Sequence, residues 1–324
     1  INAMCGHIIC GEVRLNGADP ALSTATKDVD QRGTSLTHFT MKLVHLLLRD
    51  GRAHIWVDAP KNGGVPYAML VEAEQMIGAR RDDQGKLRQV RLRMPIELPE
   101  GAYGVSSGQQ INCYDCDDDG AEVRYGLWQQ SRTANEAAAQ MSAGGAWHET
   151  QKGMMEIGRI PLVSAEVGLP QSGLVRPPLM DLAWLNLAHW QSASDQRHIL
   201  HIARVPILFA KGIAAGGAPL DIGPNRVIIT DDPQADMKFI EHSGAAIAAG
   251  RQDLIDLEDK MMMMGLDMMV ARQAHPTATG QVIEQAHHQA IMGMVTNAAK
   301  DALTQMFVLM ATWMERDQTA AGTV

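Results

Sequence analysis

Apolar positions recur along this chain with two different periods. Leu36, Phe39, Leu43, Leu46 and Leu47 repeat at three- and four-residue intervals, the stripe of an amphipathic helix. Thr34 or Ser35 can cap its N-terminus, and Gly51 stands in the stop position behind Arg49-Asp50. A strand is expected at once afterwards, from Ala53 to Val57, closed by the turn signal Lys61-Asn62-Gly63-Gly64. Residues 86–96 (KLRQVRLRMPI) alternate with period two. Arg88, Val90, Leu92 and Met94 share a mostly apolar face, and Leu87, Gln89, Arg91 and Arg93 share a mostly polar one. Further strands are expected at 7–15, 121–128 and 156–163.

The character changes at Pro177-Pro178, which opens a long helical run (LMDLAWLNLAHWQSASDQRHILH); proline is tolerated in a first turn. Short strands are expected at 205–209, 226–230 and 237–240. A second helix is expected at 244–264, where Ile247, Leu254, Met261 and Met268 fall at heptad spacing with Leu257 and Met264 beside them. Gly265 is expected to let the chain leave that helix. Residues 271–281 read as a loop, and 282–316 as a final helix of up to ~50 Å at ~1.5 Å per residue. No internal repeat is found.

Composition narrows the function classes. A length of 324 residues suits about two domains, and 46% hydrophobic residues can build a large core. No apolar run is long enough for a transmembrane helix. The net charge of -9 argues against a simple basic clamp on nucleic acid. Aromatics at 4% leave few platforms for stacking single-stranded bases. Four cysteines are too few for a disulfide scaffold. Cys113 and Cys116 form one C-x-x-C, but Cys5 and Cys10 do not supply the second close pair of a zinc site. Reduced thiols in a cytosolic product are the expectation, with no metal and no cofactor. The N-terminus lacks the pattern of a secretory signal. It also lacks an initiator methionine, so the chain is expected to be part of a longer polypeptide.

Catalytic motifs are weak or missing. Gly104-Val105-Ser106-Ser107-Gly108 matches G-x-S-x-G. A nucleophile elbow needs a strand before it and a helix after it, whereas Pro99-Glu100-Gly101 precedes and a Cys/Asp turn follows. Neither a P-loop nor a G-x-G-x-x-G motif is present, which excludes the usual phosphate cradles. His189, Asp195, His198 and His201 sit on or near one helix and leave open a metal-dependent enzyme or hydrolase. His287 and His288 are adjacent and point in different directions. The run MMMMGLDMMV at 261–270 is either a core helix end or an adaptable apolar surface. The basic stretch Arg80, Arg81, Lys86, Arg88, Arg91 and Arg93 is either a solvated hairpin edge or a contact for DNA or an acidic partner.

Several local sequences, in order, resemble bacteriophage portal proteins, and more narrowly a phage family of formerly unknown function regarded as portal-like. The resemblance is carried by Gly33-Thr34-Ser35-Leu36, LLLRDGRAHIWVDAP (46–60), RIPLV (159–163) and PPLMDLAWLNLAHWQSASDQRHILH (177–201). It continues through VPILFAKG (205–212), FIEHSGAAIAAGRQDLIDLEDKM (239–261) and HPTATG (275–280). It implies an α+β portal-type subunit with wing, stem helices, β-rich clip and a C-terminal helical crown region. By position, residues 1–33 would be partial wing, 34–50 the first stem helix and 51–176 clip and wing strands. Residues 177–204 would be the second stem helix, 205–264 wing strands and the long helix, 265–281 the tunnel loop and 282–324 a crown-proximal helix. The chain departs from the family in lacking its usual N-terminal helices and much of a C-terminal tail.

The implied role is a virion component at the capsid vertex, made in the host cytoplasm. It would be a head-tail connector, a homo-oligomeric ring of about twelve subunits through which double-stranded DNA is packaged and ejected. Its partners would be the terminase, a tail adaptor and the major capsid protein, with no membrane and no catalysis of its own. The expected channel residues are Lys260, Met264, Gly265, Met268, Met269, Arg272, Gln273 and His275, and the expected docking residues of the clip are Arg88, Arg91 and Arg93. The rivals are a soluble hydrolase or metal-dependent enzyme using the His189–His201 region or Ser106, and a monomeric scaffold or binding module.

Overall fold

The computed structural model describes residues 1–60, 63–100, 102–117, 122–130, 147–168, 175–204, 207–212, 233–240, 245–267 and 278–324. In chain order the elements are α1 (Asn2–Ile8), α2 (Pro20–Ala25), α3 (Leu36–Asp50), β1 (Arg52–Asp58), β2 (Tyr67–Glu72), β3 (Met76–Arg81), β4 (Leu87–Glu100) and β5 (Gly104–Cys116). They continue with β6 (Val123–Gln130), β7 (Trp147–Met155), β8 (Leu162–Glu166), α4 (Met180–Ala203), β9 (Ile207–Lys211), β10 (Asp236–Ile240), α5 (Ala245–Asp267) and α6 (Ala278–Trp313). The class is mixed α plus β. The chain divides into two compact units, one comprising Ile1–Met180 with Met268–Val324 and the other Asp181–Asp267.

The first unit is built on α3 and β1. Ser35 caps α3 by accepting from the His38 amide at 3.4 Å, and Gly51 ends it in the left-handed conformation with φ of 72°. The apolar stripe read from the sequence is buried, including Leu36, Phe39, Leu43 and Leu47. The chain then enters β1, which pairs antiparallel with β2 on one side and β8 on the other. As the central strand it is buried along most of its length. The C-terminal half of α6 completes this core. Leu303, Met306, Phe307, Leu309 and Met310 are all buried, because the helix is enclosed by α3 together with β1 and β8 and is apolar around its circumference there.

A five-stranded antiparallel sheet, β3-β4-β5-β6-β7, follows in the same unit. Each strand pairs with the next in sequence, and β4 and β5 form a long hairpin from Gln89↔Asp115 to Glu100↔Gly104. On β4 the expected alternation holds: Val90 and Leu92 are buried while Arg91 and Arg93 are exposed. Pairing with β3 ends at Leu92. Beyond it no second strand pairs with β4 among the described residues, which accommodates Pro95 and Pro99, since proline cannot donate to a ladder.

The structure corrects several expectations. Residues 7–15 form no strand; α1 ends at Ile8 and the following residues are irregular. Short apolar runs do not distinguish helix from strand; His7 and Ile8 close α1, whose Met4 and Cys5 are buried. The strand expected at 156–163 is displaced to β8. Gly158 turns the chain with φ of 71°, and Pro161, lacking an amide hydrogen, contributes only its carbonyl to Val57. Gly265 does not stop α5, which continues to Asp267. Residues 226–230 lie outside the described residues. β2, β3, β5 and β7 were not anticipated as strands.

The second unit is an antiparallel helix pair with a two-stranded hairpin. β9 and β10 pair from Ile207↔Ile240 to Lys211↔Asp236. Three hydrogen bonds step along the helices in opposite senses. His189 Nε2 lies 3.2 Å from Glu258 Oε1, Ser192 donates to Asp253 Oδ2 at 2.7 Å, and Gln196 donates to the Ile247 carbonyl at 2.9 Å.

Candidate functional site

The sequence pointed to three places: the clip-like arginines, the histidine-bearing helix and the methionine-rich helix end. On the five-stranded sheet the arginines separate by strand parity. Arg91 and Arg93 are exposed on the same face of β4. Arg88 sits on the other face, where it pairs with Asp82 at 2.9 Å and donates to the Asp117 carbonyl at 2.7 Å. Arg88 is therefore committed within the sheet, whereas Arg91 and Arg93 can meet a partner. The Arg91 guanidinium lies over Gly78 of β3, where a methyl group would collide with it.

The histidines are not gathered into one site. His189 faces α5 and Glu258, while His198 and His201 are exposed. Among the described residues no group of three or more His, Cys, Asp or Glu side chains is placed to hold a metal ion. The cysteine motif cannot act as a chelating pair, because its members are three apart on a continuous strand and so lie on opposite faces of β5. Cys113 is half-buried and Cys116 buried, and burial raises the Cys113 thiol above its usual pKa. The G-x-S-x-G sequence is equally regular. Ser106 is within β5 opposite Leu98, so the sharp strand-to-helix turn of a nucleophile elbow is not formed.

At the methionine-rich end, Leu254, Leu257, Met261 and Met264 are half-buried, and Met262 and Met263 are exposed. Lys260 is exposed and Gly265 is inside the helix. Met268, Met269, Arg272, Gln273 and His275 lie outside the described residues. The bonded face of α4 carries His189, Ser192 and Gln196, and Gln196 is buried at 7% exposure. Trp184, Leu187 and Trp190 fall on a different stripe, turned away from α5 at ~100° per residue. Trp184 is 62% and Trp190 66% exposed. On α5, Ile255 and Met262 are spaced by one heptad and are 40% and 56% exposed. The pair thus joins hydrogen bonds and half-buried apolar side chains between its helices and leaves the tryptophans outside.

Sequence reasoning missed one feature altogether. Trp56, Tyr67, Tyr114 and Tyr125 line a single cavity with Asp58. These residues come from β1, β2, β5 and β6, and two of those strands were not anticipated. The only available signal was that tyrosine is scarce, with four in the chain.

Comparison with known proteins gives three findings. Residues 178–314, running from the start of α4 to the end of α6, match the model of a domain of unknown function, DUF4055. No curated protein matches the chain. Solved structures are similar to it at low identity. One chain in the virion of a native gene transfer agent (GTA) particle is 10% identical with a TM-score of 0.47, covering 97% of this chain and 76% of its own. Another, in the neck of an empty GTA particle computed with C6 symmetry, is 11% identical with a TM-score of 0.44, covering 96% and 76% respectively.

Proposed function

We propose that this protein is a structural subunit of a phage-type particle. Copies of it would form the portal ring, the channel for double-stranded DNA at the capsid vertex. The observation that carries the reading is the set of large apolar side chains left exposed on the helix pair of the second unit. Two separate apolar stripes face outward, Trp184, Leu187 and Trp190 on α4 and Ile255 and Met262 on α5. A small unit that buries so little within itself needs a partner surface. Two unlike stripes on one molecule favour a head-to-tail contact, in which one copy's α4 stripe covers the next copy's α5 stripe. Such contacts generate rings when the rotation closes. The sequence resemblance to portal proteins supports the same arrangement.

The charge also suits a passage. Twelve copies at -9 carry about -108, and duplex DNA with one charge per ~1.7 Å is repelled by such a ring rather than captured. Adaptable methionine side chains at a constriction offer apolar contact without holding phosphates. In this reading Lys260, Met264, Gly265, Met268, Met269, Arg272, Gln273 and His275 lie near the channel. Arg91 and Arg93 would present charge to the terminase or tail adaptor, with Arg88 bracing the strand beneath them.

Native mass spectrometry and negative-stain imaging test the proposal on the wild-type protein and on the double variant Trp184→Ser/Trp190→Ser. The wild type is expected to give closed rings, and the variant to run as a folded monomer. A wild-type protein that remains a monomer, or rings unaffected by the double substitution, would overturn it.

A further inference from the structure

Aromatic residues make up only 4% of the chain, yet four large ones converge in the first unit. Trp56, Tyr67, Tyr114 and Tyr125 line a cavity of about 450 Å³ where the three-stranded and five-stranded sheets meet. Its size is within the ~300–1,000 Å³ range of small-ligand sites. The Trp56 and Tyr114 ring centroids are 4.1 Å apart, and those of Tyr114 and Tyr125 are 6.5 Å apart. Asp58, at the end of β1, lines the same space. Its Oδ1 accepts from the Ala59 amide at 2.8 Å, and its Oδ2 accepts from the Tyr67 hydroxyl at 3.4 Å. The Tyr125 hydroxyl accepts from Gln151 at 3.1 Å, and that of Tyr114 from Asn112 at 3.4 Å. The phenols are thus fixed by hydrogen bonds in the wall. Burial, with the Asp58 charge adding to it, raises the pKa of both Tyr67 and Tyr114, so both rings stay neutral.

The chemistry selects a class of ligand. Aromatic faces and a carboxylate both attract positive charge and disfavour an anion. A hard metal ion would require several oxygen ligands, and the cavity supplies one carboxylate. Much of the remaining wall is apolar or thioether, from Leu92, Met69, Met94, Met154 and Met155. Such a wall suits a weakly hydrated cation with a hydrocarbon body. We propose that the cavity is a binding site for an organic cation of the alkylammonium or alkylguanidinium class, held by Asp58 and the surrounding rings. A free small molecule and a lysine or arginine side chain of another protein present the same group. The site does not depend on the ring reading.

The four lining methionines provide the readout. The protein is labelled with carbon-13 at its methionine methyls and titrated with tetramethylammonium, methylguanidinium and tert-butanol, the last a neutral molecule of similar shape to the first. Both cations are expected to produce saturable shifts at Met69, Met94, Met154 and Met155. Asp58→Asn and Tyr125→Leu, each verified as folded by its melting curve, should weaken binding by about tenfold or more. A Gly-Arg-Gly peptide binding about tenfold tighter than methylguanidinium identifies the source as a protein side chain, and equal or weaker binding identifies a free molecule. Equal responses to tert-butanol and tetramethylammonium, no saturation below about 100 mM, or undiminished affinity in both variants would overturn the proposal. A monomer that binds the cations would refute the ring and leave this site standing.

Discussion

His54 should make the fold acid-sensitive by an amount that can be worked out in advance. It sits on the central strand β1 with 1% exposure. Its Nδ1 lies 3.0 Å from the hydroxyl of Ser164, its register partner on β8, and Nε2 meets no hydrogen-bond partner among the described residues. Burial first, then the charges of Arg52 and Arg81, lower the imidazole pKa to about 4. The unfolded chain takes up the proton near pH ~6.5. Between those two values the unfolded state binds more protons than the folded one, so stability falls as the pH is lowered. At ~1.4 kcal/mol per pH unit, the cost is about 2 kcal/mol at pH 5 and approaches about 3 kcal/mol near pH 4. His54→Gln removes the titration while keeping a polar side chain beside Ser164. Urea unfolding followed by tryptophan fluorescence at pH 7, 6 and 5 should show the wild type losing about 2 kcal/mol more than the variant. Every other titrating group is common to both proteins. Parallel pH profiles would therefore refute the reasoning.

Two glycines carry further predictions. At Gly51, φ is 72°, and a Cβ would lie 2.9 Å from Val175 Cγ1 and 3.1 Å from the Arg176 carbonyl oxygen; Gly51→Ala should cost about 1–3 kcal/mol, read as a lower urea midpoint with an unchanged slope. Gly250 sits on α5 where an added methyl would strike the Gln196 carboxamide. Although alanine favours a helix by about 1 kcal/mol, Gly250→Ala should break the Gln196–Ile247 bond and lower the helical melting temperature; a higher one would show that the bond holds nothing.

The legible parts of the fold were those where several local signals agreed. For α3 and β1, periodicity, the Ser35 cap and the Gly51 stop all gave the same boundary. The strands that escaped notice lack a one-sided apolar pattern. β7 buries none of its residues fully, and β3 is exposed along most of its length, so their place is fixed by ladder pairing with neighbours rather than by their own residues. β5 was hidden by its glycines, serines and cysteines, which read as turn chemistry but follow the long register set by β4. The candidate sites follow the same logic. The parity that separates Arg88 from Arg91 and Arg93 is already visible in KLRQVRLRMPI. The aromatic cavity is not, because Tyr114 and Tyr125 become neighbours only through the β5–β6 register, and Trp56 meets Tyr114 only where two sheets approach.

The contrast between the two units bears most directly on assembly. The first closes its core with α3, β1 and α6, whose side chains are buried without help from any other molecule. In the second, Gln196 is the one fully buried residue on α4, and it is polar. Burying an exposed large apolar side chain contributes about 1.5–3 kcal/mol. A neighbour covering Trp184, Leu187 and Trp190 would therefore add several kcal/mol to a helix pair that has little stabilisation of its own. By mass action, a contact that only the folded unit can make raises the stability of that unit as the protein concentration rises. The melting of α4 and α5 should therefore depend on concentration while that of the first unit does not. The portal reading needs this coupling: subunits with a finished core, joined through helices whose stability rises when their neighbours are in place.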